Sequence, residues 1–330
     1  MRGSAAAWQG GRVQRWRGVE SAPSGWGRCV VTIGVFDGVH LGHQRIVRRA
    51  VERARAAGVP AVVLTFDPHP SEVVRPGSHP AVLTSQGYRA ELLGALGVDV
   101  VCVLPFSAEF SRLDPEAFVH KVLVEHLHAS AVVVGENFRY GRKAVGDVAS
   151  LTTSGRRFGF SVEGVPLQGS ADTTWSSTYV RSCVDAGDVE EAGRVLGREH
   201  RIEGVVVRGD QRGREIGYPT ANVEPAPWSA VPADGIYAGR LVRGAGPDAV
   251  LLPAAVSIGT NPTFAGPRER RVEAYVLDFA GDLYGEHVGL TFAARLRETV
   301  RFDGLEPLLA QMARDVDRTR ELLAGPVAPA

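Results

Sequence analysis

The chain has 330 residues, 44% of them apolar and 22% charged, with 37 Lys and Arg balanced by 37 Asp and Glu. That length suggests roughly two domains, each able to bury a core, and the zero net charge argues against a general binder of nucleic acid or anionic membrane. No apolar run reaches the ~18 residues of a membrane helix, and the dispersed Cys29, Cys102 and Cys183 suit neither a disulfide scaffold nor a zinc cluster, so a reducing cytoplasm fits.

Residues 1–13 are Gly/Ala-rich and without period, which predicts a disordered extension, and they lack the apolar stretch of a secretory signal. Short β-branched runs at Cys29–Phe36, Ala61–Phe66, Val98–Leu104 and Ala131–Val134 predict strands covered on both faces. Amphipathic segments at Gln44–Ala57, Tyr88–Leu96 and Pro115–Leu127 lie between them, the last opened by Asp114 as a cap and Pro115 in the first turn. This alternation predicts an α/β domain with a doubly wound parallel sheet, whose ligands sit at the carboxyl ends of the strands. Two further helices, Ser176–Ala186 and Val189–Leu196, close that half. Beyond Gly197 the pattern changes to runs bounded by Gly and Pro: Arg201–Val207, Gly235–Val242, Val250–Ser257, Arg271–Phe279 and Val288–Arg295, then one helix, Leu305–Leu323. These predict a small antiparallel barrel with a terminal helix, giving domains at 14–196 and 197–330.

Two stretches carry chemistry. The first, from Val30 to His43, runs strand, glycine-rich turn, helix. Gly34, Gly38 and Gly42 allow sharp turns and close approach of a ligand, around Phe36 and Asp37. A helix starting near His43 offers free N–H groups and a positive dipole end, an anion site suited to nucleotide phosphates. His40 and His43, three apart, can both face it and stabilise charge on a phosphoryl oxygen. No Walker A loop or His-Glu-x-x-His zinc motif is present. Further pieces follow in order. Thr65-Phe66-Asp67-Pro68-His69-Pro70 ends the second strand, and Val134-Gly135-Glu136-Asn137-Phe138-Arg139-Tyr140-Gly141, then Gly146-Asp147, follows the fourth. Ser176, Ser177 or Thr178 can cap a helix whose N-terminus also holds phosphate, with Arg181 one turn on as a fork donor. Phe66, Pro68, His69, Phe106 and Phe138 are candidates to line an aromatic ligand near strand ends.

The second stretch runs from Gly204 to Asn222. A strand leads into a loop with Gly209, Arg214 and Gly217, whose backbone N–H groups can form a phosphate nest. Thr220 and Asn222 present hard oxygens two residues apart, suited to Mg²⁺. In the alternating strand Arg271–Phe279, Glu273 shares a face with Tyr275 and Leu277 and stands apart from other charges.

His40-Leu41-Gly42-His43 resembles the HxGH motif of nucleotidyltransferases, and GVFDGVHLGHQ resembles the adenylyltransferase half of the bacterial bifunctional riboflavin kinase/FAD synthetase family. GRxxGYPTAN, Asp234–Gly239, Ser257–Phe264 and the strand around Glu273 resemble its kinase half, so the likeness spans about residues 14–323. The resemblance implies that the carboxyl half phosphorylates riboflavin with ATP and that the amino half transfers AMP from a second ATP to FMN, giving FAD. It implies Mg²⁺ as cofactor, His40, His43 and Arg181 as stabilisers of the adenylyl transfer, and Glu273 as the base for the ribityl hydroxyl. It also implies a cytoplasmic enzyme, monomeric or weakly oligomeric, with riboflavin, FMN, FAD and ATP as its ligands and no nucleic acid or membrane partner. Tyr275 and Tyr179 depart from the His and Arg that relatives often carry. Rival readings are an adenylyltransferase for another phosphorylated cofactor, against which the PTAN-to-Glu273 series argues, and an inactive flavin sensor, against which His40, His43, Asn222 and Glu273 argue. A tRNA-synthetase relative also shares HxGH, but this chain is neutral and lacks a KMSKS-like segment.

Overall fold

A computed structural model of the chain describes residues 13–325, apart from 24, 171–172, 210–212, 214–215 and 261–269. The expected extension up to residue 12, Arg214 and the stretch 261–264 lie outside the described residues. The chain forms two compact units, one of residues 1–80 and 86–175, the other of 81–85 and 176–330.

The first unit is built on a parallel sheet of six strands: β1 (Gln14–Arg17), β2 (Cys29–Ile33), β3 (Ala61–Asp67), β4 (Val100–Pro105), β5 (Ala129–Gly135) and β6 (Ser161–Val165). Their order is β1-β4-β3-β2-β5-β6. The chain moves outward from β2 through β3 to β4, then returns to place β5 on the other side of β2. The order therefore reverses between β2 and β5, and the crevice beyond their carboxyl ends is the switch point where doubly wound sheets bind ligands. Strands β2 to β5 are buried almost throughout, which explains their unbroken apolar sequences. Helices α1 (Leu41–Ala57), α2 (Pro70–Val74), α3 (Gln86–Ala95), α4 (Pro115–Phe118) and α5 (Val148–Phe158) connect them, α4 continuing as a π-type stretch over Val119–His126. Asp114 caps α4 as expected, its carboxylate accepting the Ala117 N–H at 2.8 Å. A two-residue pair, β7 (Gly169–Ser170) with β8 (Thr173–Thr174), follows.

Several expected boundaries shift, and two at the β2–α1 turn have a visible local cause. The first strand stops at Ile33 rather than Phe36, because Phe36 adopts a left-handed backbone with φ 52° that breaks the extended run. Helix α1 begins at Leu41, ahead of the expected Gln44, because His40 itself serves as its cap.

In the second unit, α6 (Ser177–Ala186) and α7 (Val189–Leu196) precede a closed antiparallel barrel. Its strands are β9 (His200–Val207), β10 (Ala221–Pro225), β11 (Gly235–Arg243), β12 (Val250–Thr260), β13 (Arg270–Val276) and β14 (His287–Arg297), and α8 (Leu305–Leu323) ends the fold. The inward residues Tyr237, Leu241, Ile258, Leu290 and Phe292 are fully buried and fill the barrel. The segment Ala81–Ser85 belongs to this unit although it precedes α3 in sequence. It pairs with the stretch after β10: the Val82 N–H donates to the Trp228 carbonyl at 2.7 Å and the Ala230 N–H to the Val82 carbonyl at 2.8 Å. Ser85 bonds Glu203, and Leu83 and Thr84 are buried.

Candidate active sites

The β2–α1 turn is shaped by close packing. The Phe36 ring folds back over Gly34, where a Cβ would come within 3.0 Å of it. Gly38 has φ 80°, a conformation that side chains disfavour. The His40 ring lies over Gly42, whose Cβ would meet it at 3.1 Å. His40 Nδ1 accepts the His43 N–H at 3.4 Å, which ties the cap to the first turn. The two imidazoles stack with centroids 3.7 Å apart and planes 26° apart, and Phe36 meets His43 edge-on at 5.2 Å. Both histidines thus stand together at the α1 N-terminus and at the switch point, as the spacing predicts. One of the free N–H groups expected near His43 is satisfied by His40 rather than left for a ligand.

Asp37 was expected at the phosphates. Its carboxylate is buried and accepts from Arg89 Nη2 at 3.1 Å, while Arg89 Nη1 donates to the Val35 carbonyl at 3.2 Å. Its side chain therefore braces the turn from beneath. Thr65, also buried, ties β3 to the same turn by donating to the Val35 carbonyl at 3.0 Å. Arg89 was not singled out from sequence, and Thr65 was named only as the start of the Thr65–Pro70 motif, without this role.

The flavin candidates gather at the carboxyl ends of β3, β4 and β5. Phe66 meets Phe106 edge-on at 5.6 Å, and Phe138 stacks on Tyr140 at 5.6 Å with planes 10° apart. Phe110 and Phe118 link the two pairs, at 5.6 Å from Phe106 and 5.7 Å from Tyr140 respectively. Sequence reading named three members of this aromatic run as flavin candidates; it missed Phe110 and Phe118 and quoted Tyr140 only within the motif after the fourth strand. Burial pushes the Tyr140 hydroxyl up from its ordinary range. Pro68 follows a cis Asp67–Pro68 bond, and His69 caps α2 by accepting the Ser71 N–H at 3.1 Å. Asn137 is exposed, its Oδ1 folded over Gly135. Asp147, which caps α5, is held below the usual carboxylate range by hydrogen bonds from Ser150.

Ser176, Ser177, Thr178 and Arg181 fall in the second unit. Ser176 is the α6 cap, accepting the Tyr179 N–H at 3.1 Å, and Ser177 and Thr178 fill the first turn. Arg181 Nε donates to the Ala81 carbonyl at 2.6 Å. It also lines a cavity of about 1120 Å³ together with Arg208, Gly209, Asn222 and Arg270.

On the barrel, Asn222 stands opposite Glu273 in the β10–β13 register and opposite Val207 on the other side. The inward residues of β13 are Val272, Ala274 and Val276, so Glu273 faces outward with Asn222. Leu277 does not share that face as expected: β13 ends at Val276 and Leu277 is buried beyond it. Thr220 Oγ1 donates to Glu273 Oε2 at 3.5 Å. Gly209 lies against the Asn222 carboxamide, where a Cβ would stand 2.5 Å from Cγ and Oδ1. Gly217 has φ 85° and open space around it. A cavity of about 530 Å³ runs along Thr220, Asn222, Ala274 and Phe279 to Tyr284. Thr220 and Asn222, two apart, thus converge with the distant Glu273 on one outer face. Ser257, opposite Glu273 on β12, joins them; the sequence named it only as the start of the Ser257–Phe264 segment. No cluster of three or more His, Cys, Asp or Glu able to hold a metal occurs among the described residues. A magnesium ion here would lean on the Thr220 and Asn222 oxygens and on phosphates and water, which matches its preference for few protein ligands.

Comparison with known proteins covers both halves. A family model described as FAD synthetase matches residues 22–179, and one described as riboflavin kinase matches residues 196–323. A bifunctional riboflavin kinase/FMN adenylyltransferase of Listeria monocytogenes is 38% identical over 299 residues, covering 89% of this chain and 92% of its own. One from Pseudomonas fluorescens is 39% identical over 296 residues, covering 90% and 93%. A crystal structure described as a macrolide-efflux protein from Streptococcus pneumoniae superposes with a TM-score of 0.83 and 31% identity, over 94% of this chain and 99% of that one. The efflux description is that protein's own; no helix among the described residues here is long and apolar enough to cross a membrane. With a histidine pair at the switch point of one unit, a Thr-Asn-Glu face on the barrel of the other, and relatives aligned over about nine-tenths of its length, the chain belongs to the bifunctional riboflavin kinase/FMN adenylyltransferase family.

Proposed function

We propose that the two reactions of this family, phosphorylation of riboflavin by ATP and transfer of AMP from ATP to FMN, run on the residues described above. Residues 197–330 carry the first and residues 14–196 the second. The carrying observation is the register that sets Asn222 opposite Glu273 with Thr220 in reach, because it gathers a base and two hard oxygens where the sequence separates them. Glu273 accepts the proton of the ribityl 5′-hydroxyl as its oxygen bonds the γ-phosphorus of ATP and ADP leaves. Gly209, Arg214 and Gly217 belong to the phosphate loop, and Thr220 and Asn222 would hold Mg²⁺, which would neutralise phosphate charge.

In the second reaction an FMN phosphate oxygen bonds the α-phosphorus of ATP and pyrophosphate departs. The nucleophile is already anionic, so no base is required. His40, His43 and Arg181 stabilise the charge that develops, and Asn137 with Ser176–Thr178 binds phosphate. The Phe66–Phe106–Phe138 run takes the flavin ring. We assign the enzyme to the cytoplasm, as a monomer or weak oligomer without nucleic-acid or membrane partner, a reading supported by its zero net charge and dispersed cysteines.

The test is a time course of purified protein with riboflavin, ATP and Mg²⁺, its flavins separated by chromatography. FMN should appear first and give way to FAD. Glu273→Gln should make no FMN from riboflavin yet convert supplied FMN to FAD. Equal loss of both activities would sink the assignment of Glu273.

A further inference from the structure

Pairing between β2 and β3 runs one residue past the end of β2, where the Gly34 N–H donates to the Leu64 carbonyl at 3.1 Å. The chain must then reach α1 at Leu41, and it does so through backbone that side chains disfavour. Phe36 (φ 52°), Gly38 (φ 80°) and Val39 (φ 41°) are all left-handed, and Val39 is β-branched. His40 follows directly. Such a turn persists only where its surroundings fix it. On the β3 side the fixing point is the Val35 carbonyl. It accepts from Thr65 Oγ1 at 3.0 Å and from Arg89 Nη1 at 3.2 Å, and Arg89 is itself paired with Asp37 of the same turn. On the α1 side the Val39 N–H donates to the Phe36 carbonyl at 3.2 Å, and Gln44 Nε2 donates to the Val39 carbonyl at 3.0 Å. Thr65 is 0% exposed, so water does not readily replace its hydroxyl.

We infer that Thr65 is a positioning residue for adenylyl transfer: its hydroxyl acts through the Val35 carbonyl to set the turn that carries Phe36 and the stacked pair His40 and His43. This role rests on the proposed action of the two histidines on developing charge. Neighbours on β3 thus divide the work, Phe66 joining the aromatic run and Thr65 holding the turn. Without the hydroxyl, the Val35 carbonyl keeps Arg89, so the turn survives with more freedom. The imidazoles are then less well placed where charge develops, and the loss falls on the chemical step more than on binding. A misplacement of about 1 Å costs ~10²-fold, so about half that displacement corresponds to a loss of roughly 10-fold.

The experiment measures FAD formation from supplied FMN, ATP and Mg²⁺ in the full chain. Thr65→Val keeps the shape of the side chain and removes its donor. It should lower kcat roughly 10-fold, with KM for FMN and for ATP within about twofold of the parent and riboflavin phosphorylation unchanged. Thr65→Ser, which returns the hydroxyl, should restore kcat. In a His43→Ala background Thr65→Val should cost less than about threefold more, because part of what it positions is already gone. Parental kcat in Thr65→Val, a raised KM at parental kcat, failure of Ser to restore the rate, or a full roughly 10-fold further loss in the double variant would each overturn the inference. His43→Ala alone separates it from the site assignment. If that variant is slow while Thr65→Val is parental, the site stands and the role of Thr65 falls; if His43→Ala forms FAD at the parental rate, the site assignment fails and takes the role of Thr65 with it.

Discussion

Gly209→Ala tests the role of Asn222 without touching Asn222 itself. The new Cβ would lie 2.5 Å from the Asn222 Cγ and Oδ1, against the 3.4–4 Å of ordinary contact, so the carboxamide must move by about 1 Å. The obstructed atoms end a flexible side chain, not backbone. Displacing them into a poorer rotamer costs only ~0.5–1.5 kcal/mol of stability. The functional cost is larger, because a misplacement of about 1 Å in a positioned reactive group is worth ~10²-fold in rate, or ~2.7 kcal/mol of transition-state stabilisation. Riboflavin phosphorylation, followed by chromatography of FMN, should therefore fall ~10²-fold while adenylylation of supplied FMN continues at the parent rate. Gly259→Ala, in open space on β12, should leave both rates alone. A Gly209→Ala enzyme that phosphorylates riboflavin within about threefold of the parent would refute the argument, since Asn222 would then be displaced at no functional cost.

Three further outcomes are expected. His43→Ala should lower FAD formation from supplied FMN by ~10²-fold and spare riboflavin phosphorylation, as loss of one preorganised donor does; near-parental FAD formation would defeat it. Arg89→Ala removes the ion-pair partner of the buried Asp37 and should cost ~3–5 kcal/mol in a urea titration, part of which Asp37→Ala should recover; a shift below ~1 kcal/mol would show that the pair does not brace the turn. Glu163 is held below its ordinary value of 4.5, mainly by the Arg49 hydrogen bond and then by Arg53. A lowered folded-state value means stability that is present above that ordinary value and lost as pH falls through the folded one. Glu163→Gln should thus be less stable than the parent at pH 7, and the difference should vanish in acid; a gap that persists at about pH 2 would contradict the linkage.

How much of this was legible follows from where each element sits. Strands β2 to β5 are covered on both faces, so their sequences are unbroken apolar runs and could be read directly. The edge strands β1 and β6 escaped notice because an edge buries little: QRWR buries only Trp16 and SVEGV only Val165. Helix α5 was also missed, although Asp147 and Ser150 form its capping box, because it buries only Leu151 and Gly155. At the first site the histidine pair was visible from its spacing. The ion pair that diverts Asp37 was not, since Arg89 arrives from a distant helix. On the barrel the residue types were legible, but the register that sets Asn222 against Glu273 arises only when the barrel closes.

The strap Ala81–Ser85 has a consequence for how this gene can be divided. The polypeptide passes between its two units at three peptide bonds, 80–81, 85–86 and 175–176. No single cut yields both units whole. A fragment starting at Ser176 carries the entire barrel yet lacks the segment that buries Leu83 and Thr84 and pairs with residues 228–230. A free-standing kinase derived from this sequence would need those five residues returned to it, as an added peptide or a grafted leader. Fission of the bifunctional chain into two separate enzymes is therefore at least a two-step change, and fusion into one chain leaves a mark that a simple joining of halves would not.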